Sequence, residues 1–219
     1  MNIADIRKEF VRKFCANEFV TDKSGENTVE IIGASFIADE DFIFSKPNKE
    51  YIEAEIAWYD SGSLNVEDLF EIYGKEVAIW KAVSDEFGYI NSNYGWCIDS
   101  GDNCCQFDNC LETLQKDIGS RRACMIYTRP SMQVDYNLAG RSDFMCTHAV
   151  NYLVRDGKLD AIVQMRSNDA VFGFLNDLAW QKEVQAQLAA NLEDVTPGDI
   201  HWQVSSLHVY ERHFRYIKE

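Results

Sequence analysis

In "KEYIEAEIAWYD" the residues three and four positions either side of Glu55 are Tyr51, Ile52, Trp58 and Tyr59. On a helix these four share a face with the glutamate and turn it inward. A carboxylate enclosed by apolar rings resists ionisation, so its pKa rises toward neutrality. In that range one group both gives and takes a proton at physiological pH. The competing reading is a structural ion pair with a core arginine. A second candidate is Cys146, in "SDFMCTHAV", expected within a strand. As a thiolate it is a nucleophile, provided a cation or hydrogen-bond donor lowers its pKa. Otherwise it is a small core residue. His148, two residues on, raises a Cys/His hydrolase pair, but no Asn or Asp that would orient its ring is identifiable. "GSRRAC" sets Arg121 and Arg122 ahead of an apolar strand. They are either a solvated strand entrance or a phosphate clamp. Lys23, before the small turn of "DKSGENT", is equally open. Asp177 precedes "LAWQKEV", where an acid suits the first turn of a helix.

The elements that must position these residues follow from hydrophobic period and turn chemistry. Residues 3–19 carry Ile3, Ile6, Phe10, Val11 and Phe14 on one helical stripe. Residues 28–37 read as a strand with a glycine break, and 47–62 as a helix ended by Gly62. Further helices are expected over 66–86, 103–116 and 178–192, with strands over 122–129 and 199–210. Residues 144–167 form an expected hairpin, since Asp156-Gly157 suits the positive backbone angles of a tight turn. Helices and strands mix without regular βαβ alternation. That favours an α+β fold with a large mixed sheet flanked by helices.

The 219 residues, 46% of them hydrophobic, can bury a substantial core. With three prolines and no Gly/Ser-rich linker, one domain over 1–219 is expected. A net charge of −15 repels a phosphate backbone, so a nucleic-acid polymer is an unfavourable partner. A single anion in a local basic pocket is still compatible. Seven cysteines include "DNCCQFDNC", but no second Cys/His pair stands at zinc spacing, so no metal is expected. The N-terminus lacks the apolar run of a signal peptide, and no stretch approaches a membrane span. These features predict a soluble protein of a reducing compartment.

Taken in order, "DKSGENT", "EIAW", "NYGW", "SRR", "MCT", "RSND" followed by Gly173, and "LHVYERH" resemble the thymidylate synthase family along nearly the whole chain. "EIIGASF", "INSNYGW", "MIYTRPSMQ", "SDFMCT", "VFGF" and "SLHVY" are similar to its phage branch, which hydroxymethylates dCMP. The resemblance implies the family's fold and an obligate homodimer packed through the sheet. It implies Cys146 as nucleophile and Glu55 as the proton-transfer carboxylate that also holds water. Lys23, Arg166 and Ser167 would hold the nucleotide phosphate. Arg121 and Arg122 would reach the phosphate in the neighbouring subunit's site. His208 and Tyr210 would bind the sugar hydroxyl, and Asp169 and Trp96 would lie on the folate side. The co-substrate would be 5,10-methylenetetrahydrofolate, the setting the cytoplasm of a phage-infected host, and further partners other enzymes of deoxynucleotide synthesis.

This chain departs from the family in several places. Lys23 stands where an arginine is usual, Thr147 for histidine and Asn151 for glutamine. The segment that closes over folate has no counterpart after "HFRYIKE". Asp177 replaces the family's base-reading asparagine. An amide matches the O4 acceptor and N3–H donor of uracil. A carboxylate instead accepts from the N4 amino group and a protonated N3 of cytosine, and repels uracil O4. The resemblance therefore implies dCMP as substrate and 5-hydroxymethyl-dCMP as product, with water rather than hydride as the final reagent. The rivals are a thymidylate synthase, a dUMP hydroxymethylase and a non-catalytic nucleotide-binding relative.

Overall fold

Asn2 starts the first helix by reciprocal capping. Its side chain accepts from the backbone of Asp5 at 3.1 Å, and the Asp5 carboxylate accepts from the backbone of Asn2 at 3.2 Å. In the computed structural model, which describes residues 1–21 and 25–218, the chain runs in this order. It begins with α1 (Ile3–Cys15), β1 (Phe19–Thr21) and β2 (Asn27–Ile37). A helical stretch follows: α2 (Lys49–Asp60), α3 (Val66–Tyr73), α4 (Ala78–Val83), α5 (Tyr94–Asp99) and α6 (Gln106–Lys116). Then come β3 (Cys124–Ile126), α7 (Met132–Asp135), β4 (Thr147–Arg155) and β5 (Lys158–Asp169). The chain ends with α8 (Gly173–Ala190), β6 (Thr196–Tyr210) and α9 (Arg215–Lys218). Among the described residues the strands form one mixed sheet in the order β1-β2-β6-β5-β4-β3.

The chain divides into two compact units, one of Met1–Pro47 with Val150–Glu219 and the other of Asn48–Ala149. In the first, β5 and β6 run parallel with α8 as their crossover, and β2 pairs antiparallel to β6. Helix α1 packs on β2, and α8 packs on β5 and β6. Ile3, Ile6 and Phe10 bury one stripe of α1, as the sequence period requires.

Burial alternates along the central strands and then changes phase. In β5, Leu159, Ala161, Val163 and Met165 are buried, but beyond them the buried position is Asn168. In β6, Ile200, Trp202 and Val204 give way to Leu207, His208 and Val209. In β2 the change falls at Gly33, whose φ of 67° is the expected glycine break. Ser206 pairs with both Ile32 and Ser167, so the three changes lie side by side.

The second unit is built on α2, against which α3 and α5 pack, with α6 between α5 and β3. Trp58, Leu69, Ile98, Leu114 and Met125 form its core. A Cβ at Gly95 would stand 1.8 Å from the carbonyl oxygen of Tyr59, so α5 crosses α2 at a distance only glycine permits.

The expected hairpin is present, with φ of 50° at Asp156 and 73° at Gly157. Other boundaries need correction. Helix 3–19 stops at Cys15, because Asn17 adopts a φ of 55° and β1 follows. Helix 66–86 is two helices, since Gly74 takes the left-handed conformation at φ 79° and accepts no further turn. Helix 103–116 begins only at Gln106, after two left-handed cysteines, Cys104 and Cys105. Cys146 lies just before β4 rather than in it, and α8 starts at Gly173 instead of 178. Replacing Gly95 with alanine should cost about 1–3 kcal/mol by overpacking α5 on α2; urea denaturation of the variant beside the parent measures it.

Candidate active site

Asn48 caps α2 by accepting from the backbone N–H of Tyr51, and the helix carries Glu55 into a dry aromatic setting with only 5% of its surface exposed. The Tyr51 hydroxyl donates to Glu55 Oε1. Trp80 Nε1 stands 3.1 Å from both Glu55 Oε1 and the Tyr51 hydroxyl. Among the described residues no arginine or lysine pairs with Glu55, so the core ion-pair reading is not what the fold provides. Burial pushes the carboxyl up to about 7, against the opposing pull of the Tyr51 and Trp80 hydrogen bonds. Trp80 also packs edge-on against Trp58, with ring centroids 5.2 Å apart.

Cys146 is half-buried at the end of a segment fixed along its length. Arg141 Nε reaches Asp85 at 3.0 Å, and the backbone of Ser142 donates to Val83 at 2.9 Å. Asp143 is 7% exposed and accepts from the backbone of Asn91 at 2.8 Å and from the hydroxyl of Ser92. Thr147, fully buried, donates to the Tyr94 hydroxyl at 3.1 Å. The thiol itself lies 3.8 Å from the Phe144 carbonyl. Asn93 caps α5 by accepting from Trp96 N at 2.8 Å, and it ties α5 to the carbonyls of Trp58 and Ser63. Trp96 is thereby held half-buried, and its indole N–H has no partner among the described residues. His148 is exposed, and no described side chain orients its ring, which removes the hydrolase reading.

In the other unit, Asn168 is 3% exposed and donates through Nδ2 to Asp177 Oδ2 at 2.7 Å. Its Oδ1 accepts from Trp202 Nε1 at 3.2 Å. Asp177 is half-buried on the fifth residue of α8, so it does not cap the helix. The entrance is closed instead by Asp169, whose two oxygens each accept at 3.1 Å from the backbones of Val171 and Phe172. A Cβ at Gly173 would press on Asn168 Nδ2 and Asp169 Cβ, both 3.3 Å away. Asp169 pairs with His208 across the parallel strands. His208 is 8% exposed, and its ring meets Tyr210 edge-on at 4.7 Å. Arg166 and Ser167 are half-buried on β5.

Each unit therefore assembles its own group: Glu55 with Tyr51 and Trp80 in one, Asp177 with Asn168 and Trp202 in the other. Arg121 and Arg122 are exposed and line a surface concavity with Thr113, Lys116, Asp117 and Ser120. Neither makes an ion pair among the described residues. Lys23 lies outside the described residues. No trio of His, Cys, Asp or Glu among the described residues is placed to hold a metal, and no described helix is long and apolar enough to cross a membrane. Tyr51, Trp80 and Asn168 are contributors that sequence reasoning passed over. For Tyr51 the signal was present, four residues before Glu55 on the same helical face.

A family model described as thymidylate synthase matches residues 21–219, and the chain belongs to that family. It is 53% identical over 220 residues to the deoxycytidylate 5-hydroxymethyltransferase of Enterobacteria phage T6, covering 98% of this chain and 88% of that protein. The protein of the same name from phage T4 is 54% identical with the same coverage. The solved thermostable thymidylate synthase A of Bacillus subtilis superposes with a TM-score of 0.75 at 20% identity, over 100% of this chain and 83% of that one. The fold is thus thymidylate synthase-like.

Between pH 4.5 and about 7 the folded protein keeps a proton on Glu55 that the unfolded chain has released. Stability from this group is therefore greatest below pH 4.5 and falls as pH rises through about 7. Chemical denaturation at pH 5 and pH 8 should show a loss of about 3 kcal/mol that Glu55→Gln does not share.

Proposed function

We propose that the chain transfers a one-carbon unit from 5,10-methylenetetrahydrofolate to C5 of dCMP, with hydration, giving 5-hydroxymethyl-dCMP and tetrahydrofolate. The observation that carries this reading is an ionisable acid at 177, held by an amide donor rather than spent on capping α8. It stands in a chain more than half identical to two phage proteins named for deoxycytidylate hydroxymethylation. The whole of 1–219 serves as one catalytic domain.

Cys146 adds as thiolate to C6 of the ring, which makes C5 nucleophilic. The bound folate supplies the methylene carbon at the oxidation level of formaldehyde. Once C5 carries that carbon, loss of the C5 proton with cleavage of the carbon–nitrogen bond to tetrahydrofolate, the leaving group, would leave an exocyclic methylene on the ring. Water adds to it, and departure of the Cys146 sulfur restores the aromatic base. No electrons change hands overall: dCMP, methylenetetrahydrofolate and water balance against the hydroxymethylated nucleotide and tetrahydrofolate. Glu55, with its pKa near 7, positions the water and moves the protons. Asp177 accepts from N4–H and from N3 in its protonated form, which selects cytosine and draws electrons from C6. Lys23, Arg166 and Ser167 hold the phosphate, and His208 and Tyr210 the sugar. Trp96, an aromatic face left partly open, fits the flat ring of a folate, with Asp169 on the same side.

Homodimer formation through the sheet belongs to the same proposal. Ile32, in β2, is 80% exposed, and Arg121 and Arg122 are exposed for a neighbouring subunit's phosphate. With phage relatives, the setting is the host cytoplasm, beside other enzymes of deoxynucleotide synthesis. Mass spectrometry of products from dCMP and dUMP with the folate tests the reading. The expected product is 5-hydroxymethyl-dCMP, and preference for dUMP overturns the assignment. Asp177→Asn should move the base preference toward dUMP by about tenfold or more. 5-Fluoro-dCMP with the folate should leave a covalent mass on the Cys146 peptide; its absence favours a non-catalytic nucleotide binder.

A further inference from the structure

Trp202 is fully buried, and its indole N–H can only donate. The group 3.2 Å away must therefore be the amide oxygen of Asn168, which leaves the amide nitrogen to face Asp177. That nitrogen lies 2.7 Å from Asp177 Oδ2, so Oδ2 is the acceptor of this bond. Gly173 closes the other side, since a side chain there would crowd Asn168 Nδ2. The amide thus has one orientation, and that orientation dictates the hydrogen-bonding character of the carboxylate next to it.

We infer that Asn168, oriented by Trp202, is a positioning residue that sets base selectivity by keeping Asp177 an acceptor. This rests on the reading of Asp177 as the base-contacting acid. A protonated carboxyl offers one donor and one acceptor, as an asparagine amide does, and it therefore accommodates uracil as well as neutral cytosine. An ionised carboxylate offers acceptors alone and matches cytosine protonated at N3, which no form of uracil imitates. Donation from Asn168 stabilises the ionised form and fixes its rotamer. Without that donor, Asp177 protonates or turns more readily, and the distinction between the two bases narrows, most of all in acid.

The test measures kcat/KM for dCMP and dUMP from pH 5 to pH 8 in the parent, in Asn168→Leu and in Trp202→Phe. The leucine keeps bulk and removes both hydrogen bonds. The phenylalanine keeps an aromatic ring in the core and removes the N–H together with part of the indole's volume. In the parent, dCMP should be preferred throughout. In Asn168→Leu the preference should fall at least tenfold at pH 8 and further toward pH 5; Trp202→Phe should change it in the same sense by less. Circular dichroism identifies a variant that has not folded, and the folded one then decides. A purely structural role would lower turnover of both nucleotides together and leave their ratio flat with pH. That result in a folded variant overturns the inference. A parent that prefers dUMP instead overturns the assignment of the reaction, so the two failures are distinguishable.

Discussion

A polar group withdrawn from water has to find its partner inside the protein, because an unmet donor or acceptor costs more than a hydrogen bond returns. In this chain several of those partners come from separate elements, so the buried polar side chain also acts as a tie. Asn93 joins α5 to the end of α2 and to the turn at Ser63. Asp143 fastens the Cys146 segment to Asn91 and Ser92. Asn168 links β5 to α8 and β6 through Asp177 and Trp202. Gln185 reaches from α8 to the carbonyls of Leu159 and Gly198. Gln181, fully buried one turn beyond Asp177, departs from this: its amide bonds none of the described residues.

The same constraint shapes the chemistry. Glu55 is buried beside aromatic rings, yet its two donors, a phenol and an indole, are weak acids that cannot neutralise it as an arginine would. The group is left poised to gain or lose a proton near neutrality. Asp177 has a different environment, with an amide donor 2.7 Å from its Oδ2. Two carboxyl groups thus differ in what surrounds them rather than in their own structure.

What was legible in the sequence follows local rules. Glu55 was readable because four helical neighbours declare its face, and the hairpin because Asp156-Gly157 has few other uses. Asn168 was not. The alternation from Leu159 to Met165 points position 168 away from the core, and only the change of phase shared by three neighbouring strands turns it inward. That change is a property of the sheet, written in no single strand. Gly74 falls inside the expected helix 66–86 and is its terminator. Cys104 and Cys105 adopt left-handed angles that their side chains do nothing to announce. The start of α8 was misplaced because Gly173 suggests a loop, whereas its bareness serves the packing against Asn168. The succession of short motifs carried the family where periodicity could not.

The unit formed by Met1–Pro47 and Val150–Glu219 is interrupted in sequence by the other, and its strand β2 pairs with β6, the last strand of the chain. On a ribosome working at roughly 5–20 residues per second, β2 therefore waits on the order of ten seconds for its mate. During that interval its backbone edge lacks the hydrogen bonds of β6, and Ile31 lacks its strand neighbour Leu207. The inserted unit, contiguous from Asn48 to Ala149, is under no such delay. Birth order and assembly order thus differ for this protein, and the nascent amino terminus is the portion most in need of a chaperone's shelter.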